Sequence, residues 1–346
     1  MNAGVVAIGR NEGDRLLRCL ASLREHAPGC PIVYVDSGST DGSAEAARAA
    51  GAAVVDLDLS VPFTAARARN EGAARLLTEH PDLEFIQFLD GDCELRQGWL
   101  SAALEAMRDP AVAVVCGRRR ERHPDASVYN RLIDLEWDTP VGEARACGGD
   151  ALVRASAFRD VGGYDPTIIA GEEPEMCLRL RRAGRRILRI DHEMTLHDAA
   201  LTRFGQWWRR SVRGGHAFAE GAWRYGRGPE RYNVRNVASI LLWTLVPTGA
   251  GLAFAAAGLA AAPPYGVLAG LLPLLAYPLQ IARLARRERA RGRSPDVARA
   301  WAVLNVVCKF AELQGLVTFA ARRLTGRRGR IIEYKRPGAT SAAAPA

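Results

Sequence analysis

The chain has no C-x-x-C pair. Its seven cysteines (Cys19, Cys30, Cys93, Cys116, Cys147, Cys177 and Cys308) are odd in number and scattered. That spacing excludes a disulfide framework and a zinc-ribbon pattern, and it fits reduced thiols in a cytosolic setting. No internal repeat is visible. The first apolar run, Gly4-Val5-Val6-Ala7-Ile8, is too short for the core of a signal peptide and is soon followed by Arg10 and Glu12. It reads as a first buried strand. No aromatic-rich basic strand module is present, which argues against nucleic acid as a partner. Between Arg235 and Arg283 there is not one charged side chain.

What is present is an ordinary core-forming composition, with 48% hydrophobic and 25% charged residues. The 346 residues suffice for two domains. A net charge of +9 calls for an anionic counterpart, either nucleic acid, an anionic lipid surface or a diphosphate.

Short apolar runs alternate with helical patterns in the first third. Strands are expected at Val5–Ile8, Ile32–Val35, Ala53–Leu57, Phe85–Leu89 and Val112–Val115, and helices at Asp14–His26, Ser43–Ala50, Thr64–Thr78 and Gly98–Met107. This alternation predicts an α/β fold, with a mostly parallel sheet flanked by helices. Such sheets bind ligands outside the carboxyl ends of their strands. Asn11-Glu12, Asp36-Ser37-Gly38 and Asp90-Gly91-Asp92 all fall at such ends. From Arg118 the texture changes: Arg118–Arg122 reads as a charged loop, followed by helices at Ser127–Trp137 and Glu173–Ala183. The expected division is therefore two halves of one domain at 1–117 and 118–235, a membrane hairpin at 236–283, an interfacial helix at 284–336, and a disordered tail at 337–346.

The uncharged stretch is long enough for two membrane helices of about 20 residues each, at Val237–Ala261 and Val267–Ala282, split by Ala262-Pro263-Pro264-Tyr265-Gly266. Arginines crowd both outer flanks and are missing from the turn, so both flanks are expected on the cytoplasmic side. Val297–Leu324 is a third helical pattern, interrupted by Arg299, Lys309 and Glu312. It is expected to lie on the cytoplasmic membrane face as an amphipathic helix.

The chemistry concentrates in a few residues. Asp90 and Asp92, separated by Gly91, can hold Mg2+ or Mn2+ and through it a diphosphate; alone, the tripeptide is also an ordinary turn. Asp36 ends a strand and can accept hydrogen bonds from a nucleobase or ribose, while Asp41 or Ser43 can simply cap the next helix. Arg67, Arg69 and Asn70 open a helix; an arginine there reaches a diphosphate with paired donors or stays solvated on the helix face. Glu172 and Glu173 begin another helix, where the dipole favours acids and where one of the two can serve as a general base. His197 is either structural or a metal ligand. Gln206-Trp207-Trp208-Arg209-Arg210 suits an interfacial anchor or a diphosphate contact.

Taken in order, these motifs resemble the family 2 glycosyltransferases, which have the GT-A fold. The resemblance covers about Val5 to Gly221. Asn11-Glu12 follows the first strand, Asp36 opens Asp-Ser-Gly-Ser-Thr-Asp-Gly-Ser, and Ala68-Arg69-Asn70-Glu71-Gly72 starts a helix. Asp90-Gly91-Asp92 matches the family's D-x-D, Gly171-Glu172-Glu173 stands where Gly-Glu-Asp is usual, and Gln206-Trp207-Trp208-Arg209-Arg210 is similar to the Q-x-x-R-W motif of processive members.

The resemblance implies that Glu12 and Asp36 hold the nucleoside, Asp90 the ribose or donor sugar, and Asp92 and His197 the metal, with Glu173 as base. Asn11, Arg67, Arg69, Asn70, Gly91, Gln206, Arg209 and Arg210 complete the expected donor site. The expected partners are a UDP- or GDP-type sugar, a lipid-linked or envelope glycan acceptor and membrane lipids, at the inner membrane with the catalytic part cytoplasmic. Two positions depart from the pattern: glutamate replaces the aspartate base, and Arg210 stands where processive enzymes carry tryptophan. The rival readings are a sugar-phosphate nucleotidyltransferase, for which Ile8–Gly13 lacks the glycine-rich basic signature, and a non-catalytic membrane scaffold.

Overall fold

The computed structural model describes residues 2–326. They form two compact units, the first running through Arg203 and the second beginning at Phe204.

The first unit contains β1 (Ala3–Gly9), α1 (Asp14–His26), β2 (Ile32–Asp36), α2 (Ser43–Ala49), β3 (Ala53–Asp56), α3 (Ala65–Glu79), β4 (Phe85–Asp90), β5 (Cys93–Leu95) and α4 (Trp99–Ala106). It continues with β6 (Val112–Glu121), α5 (Val128–Glu136), β7 (Gly142–Glu143), β8 (Ala151–Arg154), α6 (Ala155–Asp160), α7 (Glu172–Arg182) and β9 (Arg186–His197). The nine strands make one sheet in the order β3-β2-β1-β4-β8-β6-β9-β5, with β7 on β9. β3, β2, β1 and β4 run parallel. β8 enters antiparallel to both β4 and β6, and β6 pairs parallel with β9.

Central strands covered on both faces need apolar residues at every position. Accordingly β1, Ala-Gly-Val-Val-Ala-Ile-Gly, is buried along almost its whole length. Leu16, Cys19, Leu20 and Leu23 give α1 its buried stripe. Thr64 caps α3, its hydroxyl accepting from the Arg67 N–H at 3.0 Å. α3 lies unusually close to the sheet because of Gly72: a Cβ there would stand 2.4 Å from Val6 Cγ1 and 2.8 Å from Val35 Cγ2.

Three expectations need correction. Arg118–Arg122 is no loop through its length, because β6 runs on to Glu121 and pairs there with β9. The sheet is therefore continuous across residue 118, where the two expected halves of one domain meet. The second unit starts at 204 rather than 236, because the helix bearing Gln206, Arg209 and Arg210 belongs with the apolar helices. β9, which carries His197, had no counterpart among the expected strands.

The second unit holds α8 (Phe204–Tyr225), α9 (Val234–Ala261), α10 (Leu271–Leu274), α11 (Ala276–Ala290) and α12 (Pro295–Leu324). Among the described residues three segments are long and apolar enough to cross a membrane: Val234–Ala261, Tyr265–Ala290 and Pro295–Leu324. The third is the helix expected to lie on the membrane face, so by length and composition it is also a candidate span. Small residues let the first two approach at backbone distance; a Cβ on Gly258 would meet the Gly266 carbonyl oxygen at 2.0 Å. Leu242, Leu245, Leu252, Phe254, Leu272 and Leu279 face outward, an apolar exterior suited to lipid. The tail expected to be disordered, 337–346, lies outside the described residues, as do residues 327–336.

Candidate active site

Parallel pairing assembles the site's floor. Gly9 is level with Asp36 and Ile8 with Asp90, so the residues following β1, β2 and β4 emerge on one sheet edge. Asn11 has a positive φ of 55°. It accepts the Thr40 N–H at 2.8 Å, and its own N–H donates to Ser39 Oγ at 2.9 Å. The Asp36 carboxylate accepts from the N–H groups of Gly38 and Ser39 at 2.9 and 2.7 Å and from the Ser39 hydroxyl at 2.5 Å. Glu12 pairs with Arg15 at 2.9 Å. Asn11 and Asp36 thus shape the loop between them.

Next to this floor, two arginines converge on Asp90. Arg69, from α3, reaches Asp90 Oδ1 at 2.7 Å and Glu172 Oε1 at 2.8 Å. Arg119, from β6, lies 3.6 Å from Asp90 Oδ2 and 2.8 Å from Asp150 Oδ2. Burial pushes the Asp90 carboxyl up, but the two guanidiniums outweigh it and hold the group below the usual carboxylate range. Asp150 is fully buried. It accepts from the Asp90 N–H at 3.0 Å and the Thr195 hydroxyl at 2.8 Å.

Asp92 meets His197 through strand register. β5 pairs antiparallel with β9 so that Cys93 faces His197, and β6 brings Glu121 level with the same histidine. His197 Nε2 is 3.5 Å from Asp92 Oδ1, and Nδ1 is 3.6 Å from Glu121 Oε2. Trp137 packs edge-on against the imidazole at 4.7 Å. A histidine whose second nitrogen faces a carboxylate is the usual arrangement behind a metal ligand. Asp92, Cys93 and His197 all place a donor atom within 4.8 Å of the others. This buried carboxylate–imidazole pair fits a divalent cation.

Glu173, at the start of α7, is buried and faces the loop before β8. Its Oε1 accepts from the Cys147 N–H at 2.5 Å and from the thiols of Cys147 and Cys177, both at 3.0 Å. Burial raises its carboxyl above the ordinary glutamate value despite these donors. The loop that touches Glu173 also touches Asp90. A Cβ on Gly149 would sit 2.7 Å from Arg69 Nη2 and 2.9 Å from Asp90 Oδ2. Gly149→Ala is therefore expected to displace the Arg69–Asp90 pair and lower kcat/KM for sugar transfer about 10²-fold. Steady-state kinetics, with circular dichroism to verify the fold, checks this.

The remaining expected residues are placed differently. The Asn70 amide accepts from the Tyr164 N–H and donates to the Tyr164 carbonyl, at 2.9 and 2.7 Å, so it pins the turn after α6. Arg67 donates to the Val61 carbonyl at 2.8 Å and lies 4.0 Å from Glu71. Gly91 fits tightly: a Cβ there would stand 3.1 Å from the Ile8 carbonyl oxygen. Glu172 is held by Arg69. Gln206, Arg209 and Arg210 stand on α8, in the second unit. Arg119, Glu121 and Asp150 had not been expected. Nothing in the run Arg118-Arg119-Arg120-Glu121 marks it as a strand; its pairing with β9 does.

Residues 5–160 match the family described as Glycosyl transferase family 2. The pre-mycofactocin glycosyltransferase of Mycobacterium tuberculosis is 31% identical over 266 residues, 72% of this chain and 53% of that protein. The chain thus spans about half the length of that curated relative. Glycosyltransferase AglE of Haloferax volcanii is 24% identical over 247 residues, covering 68% of this chain and 77% of AglE. Among solved structures, the mannosyltransferase PcManGT of Pyrobaculum calidifontis, in complex with GDP-Man and Mn2+, aligns with a TM-score of 0.59 at 18% identity over 92% of this chain and 87% of that one. That likeness is one of fold, and it is the GT-A arrangement of a mostly parallel mixed sheet with flanking helices. With a matching family model, a related sequence and this fold in agreement, the chain belongs to glycosyltransferase family 2.

Proposed function

We propose that the protein is a membrane-attached inverting glycosyltransferase that moves a sugar from a UDP- or GDP-type donor to an acceptor hydroxyl. The observation that carries this reading is the shared edge at which Asp90, Asp92 and His197 meet, joined by one short loop to Glu173. In this reading Asn11, Glu12 and Asp36 shape the nucleoside end, and Asp90, fixed by Arg69 and Arg119, orients the donor sugar. Asp92 and His197 hold Mg2+ or Mn2+. When bound, that ion stabilises negative charge growing on the diphosphate leaving group. The GDP-Man and Mn2+ complex of the archaeal neighbour supports both the donor class and the ion. Glu173 takes the proton from the acceptor hydroxyl, whose oxygen then attacks the anomeric carbon in line with the leaving group. A single displacement inverts that centre.

The acceptor in this proposal is lipid-linked or part of an envelope glycan, because the second unit offers apolar helices. Arginines outside the first two apolar segments support a catalytic unit on the cytoplasmic side of the membrane. Within the second unit α12 packs on α8, with Gly215 and Gly315 at backbone distance. α8 carries Arg209, Arg210, Arg213 and Arg224, and a partner so charged favours α12 at the membrane surface over a third crossing.

A panel of nucleotide sugars with Mn2+, read by thermal shift on detergent-solubilised protein, tests the donor assignment. One donor is expected to stabilise the protein by about 2.7 kcal/mol at a hundred times its Kd. If no nucleotide sugar shifts the transition, the reading fails.

A further inference from the structure

The two thiols at Glu173 form a second constellation that the transfer reaction does not require. Cys177 lies one helical turn beyond Glu173 on α7, so both side chains share a face. Cys147 comes from the loop before β8. Each sulfur is 3.0 Å from Glu173 Oε1, and the sulfurs are 3.7 Å from one another. All three donor atoms lie within 4.8 Å of each other, and both cysteines are free thiols.

Two thiolates held about 2.3 Å from a tetrahedral zinc ion stand about 3.8 Å apart. The observed separation matches that spacing. A disulfide would instead need the sulfurs to close to about 2.05 Å. We propose that Cys147, Glu173 and Cys177 form a site for a thiophilic divalent cation of the zinc class, distinct from the carboxylate–imidazole pair at Asp92 and His197. Entry of the ion releases the two thiol protons to solvent. With Glu173 ionised, the cluster carries one negative charge before binding and one after, so the exchange adds no net charge to a buried place. The Glu173 oxygen becomes an ion ligand and cannot accept a proton from the acceptor. Zinc-class ions would therefore block transfer, a consequence that rests on the reading of Glu173 as the base.

The test uses the full chain in detergent, stripped with a chelator, kept under a non-thiol reductant and saturated with Mg2+. One equivalent of Cd2+ is expected to give a sulfur-to-metal charge-transfer band, which Zn2+ displaces. The band should vanish in Cys147→Ser and in Cys177→Ser and persist in Cys93→Ser, which removes the thiol beside Asp92. No band at one equivalent, or a band that survives both serine variants, overturns the site. Should a serine variant not fold, alkylation mapped by mass spectrometry on the unaltered protein decides the question. One equivalent of Zn2+ should protect Cys147, and unchanged labelling overturns the proposal. In the transfer assay the same equivalent should lower the rate about 10²-fold or more. A band accompanied by full activity would keep the site and count against Glu173 as the base.

Discussion

Replacing Glu173 by glutamine is expected to lower kcat for sugar transfer about 10²–10⁴-fold, the range set by loss of a positioned general base. Glutamine keeps the side chain's length and its carbonyl oxygen, so the hydrogen bonds from Cys147 and Cys177 retain an acceptor. Only proton uptake is lost, and donor affinity measured by thermal shift should be unchanged. The pH profile supplies a second reading. Burial raises the Glu173 carboxyl, and a protonated carboxyl cannot act as base. Activity should therefore rise with pH along an acid limb lying above the ordinary glutamate value, and that limb should be missing from the residual activity of Glu173→Gln. Stability runs the other way. A raised folded-state value means that Glu173 contributes most below its ordinary value and that this contribution is lost as pH rises through the raised one. A variant with unaltered kcat, or one that keeps the limb, would remove Glu173 from the mechanism.

Asp92→Ala is expected to cost about 4 kcal/mol of transition-state stabilisation, or about 10³-fold in rate. The argument is positional. Asp92 immediately precedes β5, whose register sets its carboxylate 3.5 Å from His197. Alanine leaves the imidazole as the one strong donor of that pair, and a divalent ion loses its anionic ligand. Binding can be read without turnover. The thermal shift produced by Mn2+ plus donor should vanish in Asp92→Ala, while the same variant's melting in buffer stays close to that of the unaltered chain. Retained transfer, or a retained Mn2+ response, would falsify the metal assignment.

Contiguous features could be read from sequence, and those made by strand pairing could not. Asp90-Gly91-Asp92 and Gly171-Glu172-Glu173 declare themselves because each is one short string at a strand or helix end. α1 begins at Asp14 and ends at His26, as its leucine spacing requires. Arg119 was hidden because four arginines among five residues read as a solvated loop. Only pairing with β9 shows that β6 continues through them. Asp150 was hidden for a related reason. It precedes a four-residue strand that enters antiparallel between β4 and β6, and nothing in its neighbourhood signals that insertion. His197 was visible as a residue, but its partners were not: Asp92 and Glu121 reach it through register, across long stretches of chain. Asn70 shows another kind of hidden contact. It stands in a contiguous motif, but its bonds to the backbone of Tyr164 are made across 94 residues of chain.

The loop from Cys147 to Asp150 has a mechanical meaning. One end donates a backbone N–H to Glu173, the other accepts one from Asp90, and Gly149 presses on the Arg69–Asp90 pair between them. Three trans peptide links join its ends, so their Cα atoms can never stand more than about 11 Å apart. The chain itself acts as a ruler between the group that would receive the proton and the group that would orient the sugar. Thermal breathing of the surrounding helices cannot lengthen it, whereas one inserted residue would. Natural variation in this enzyme should accordingly tolerate changed side chains along the tether far better than a changed number of links.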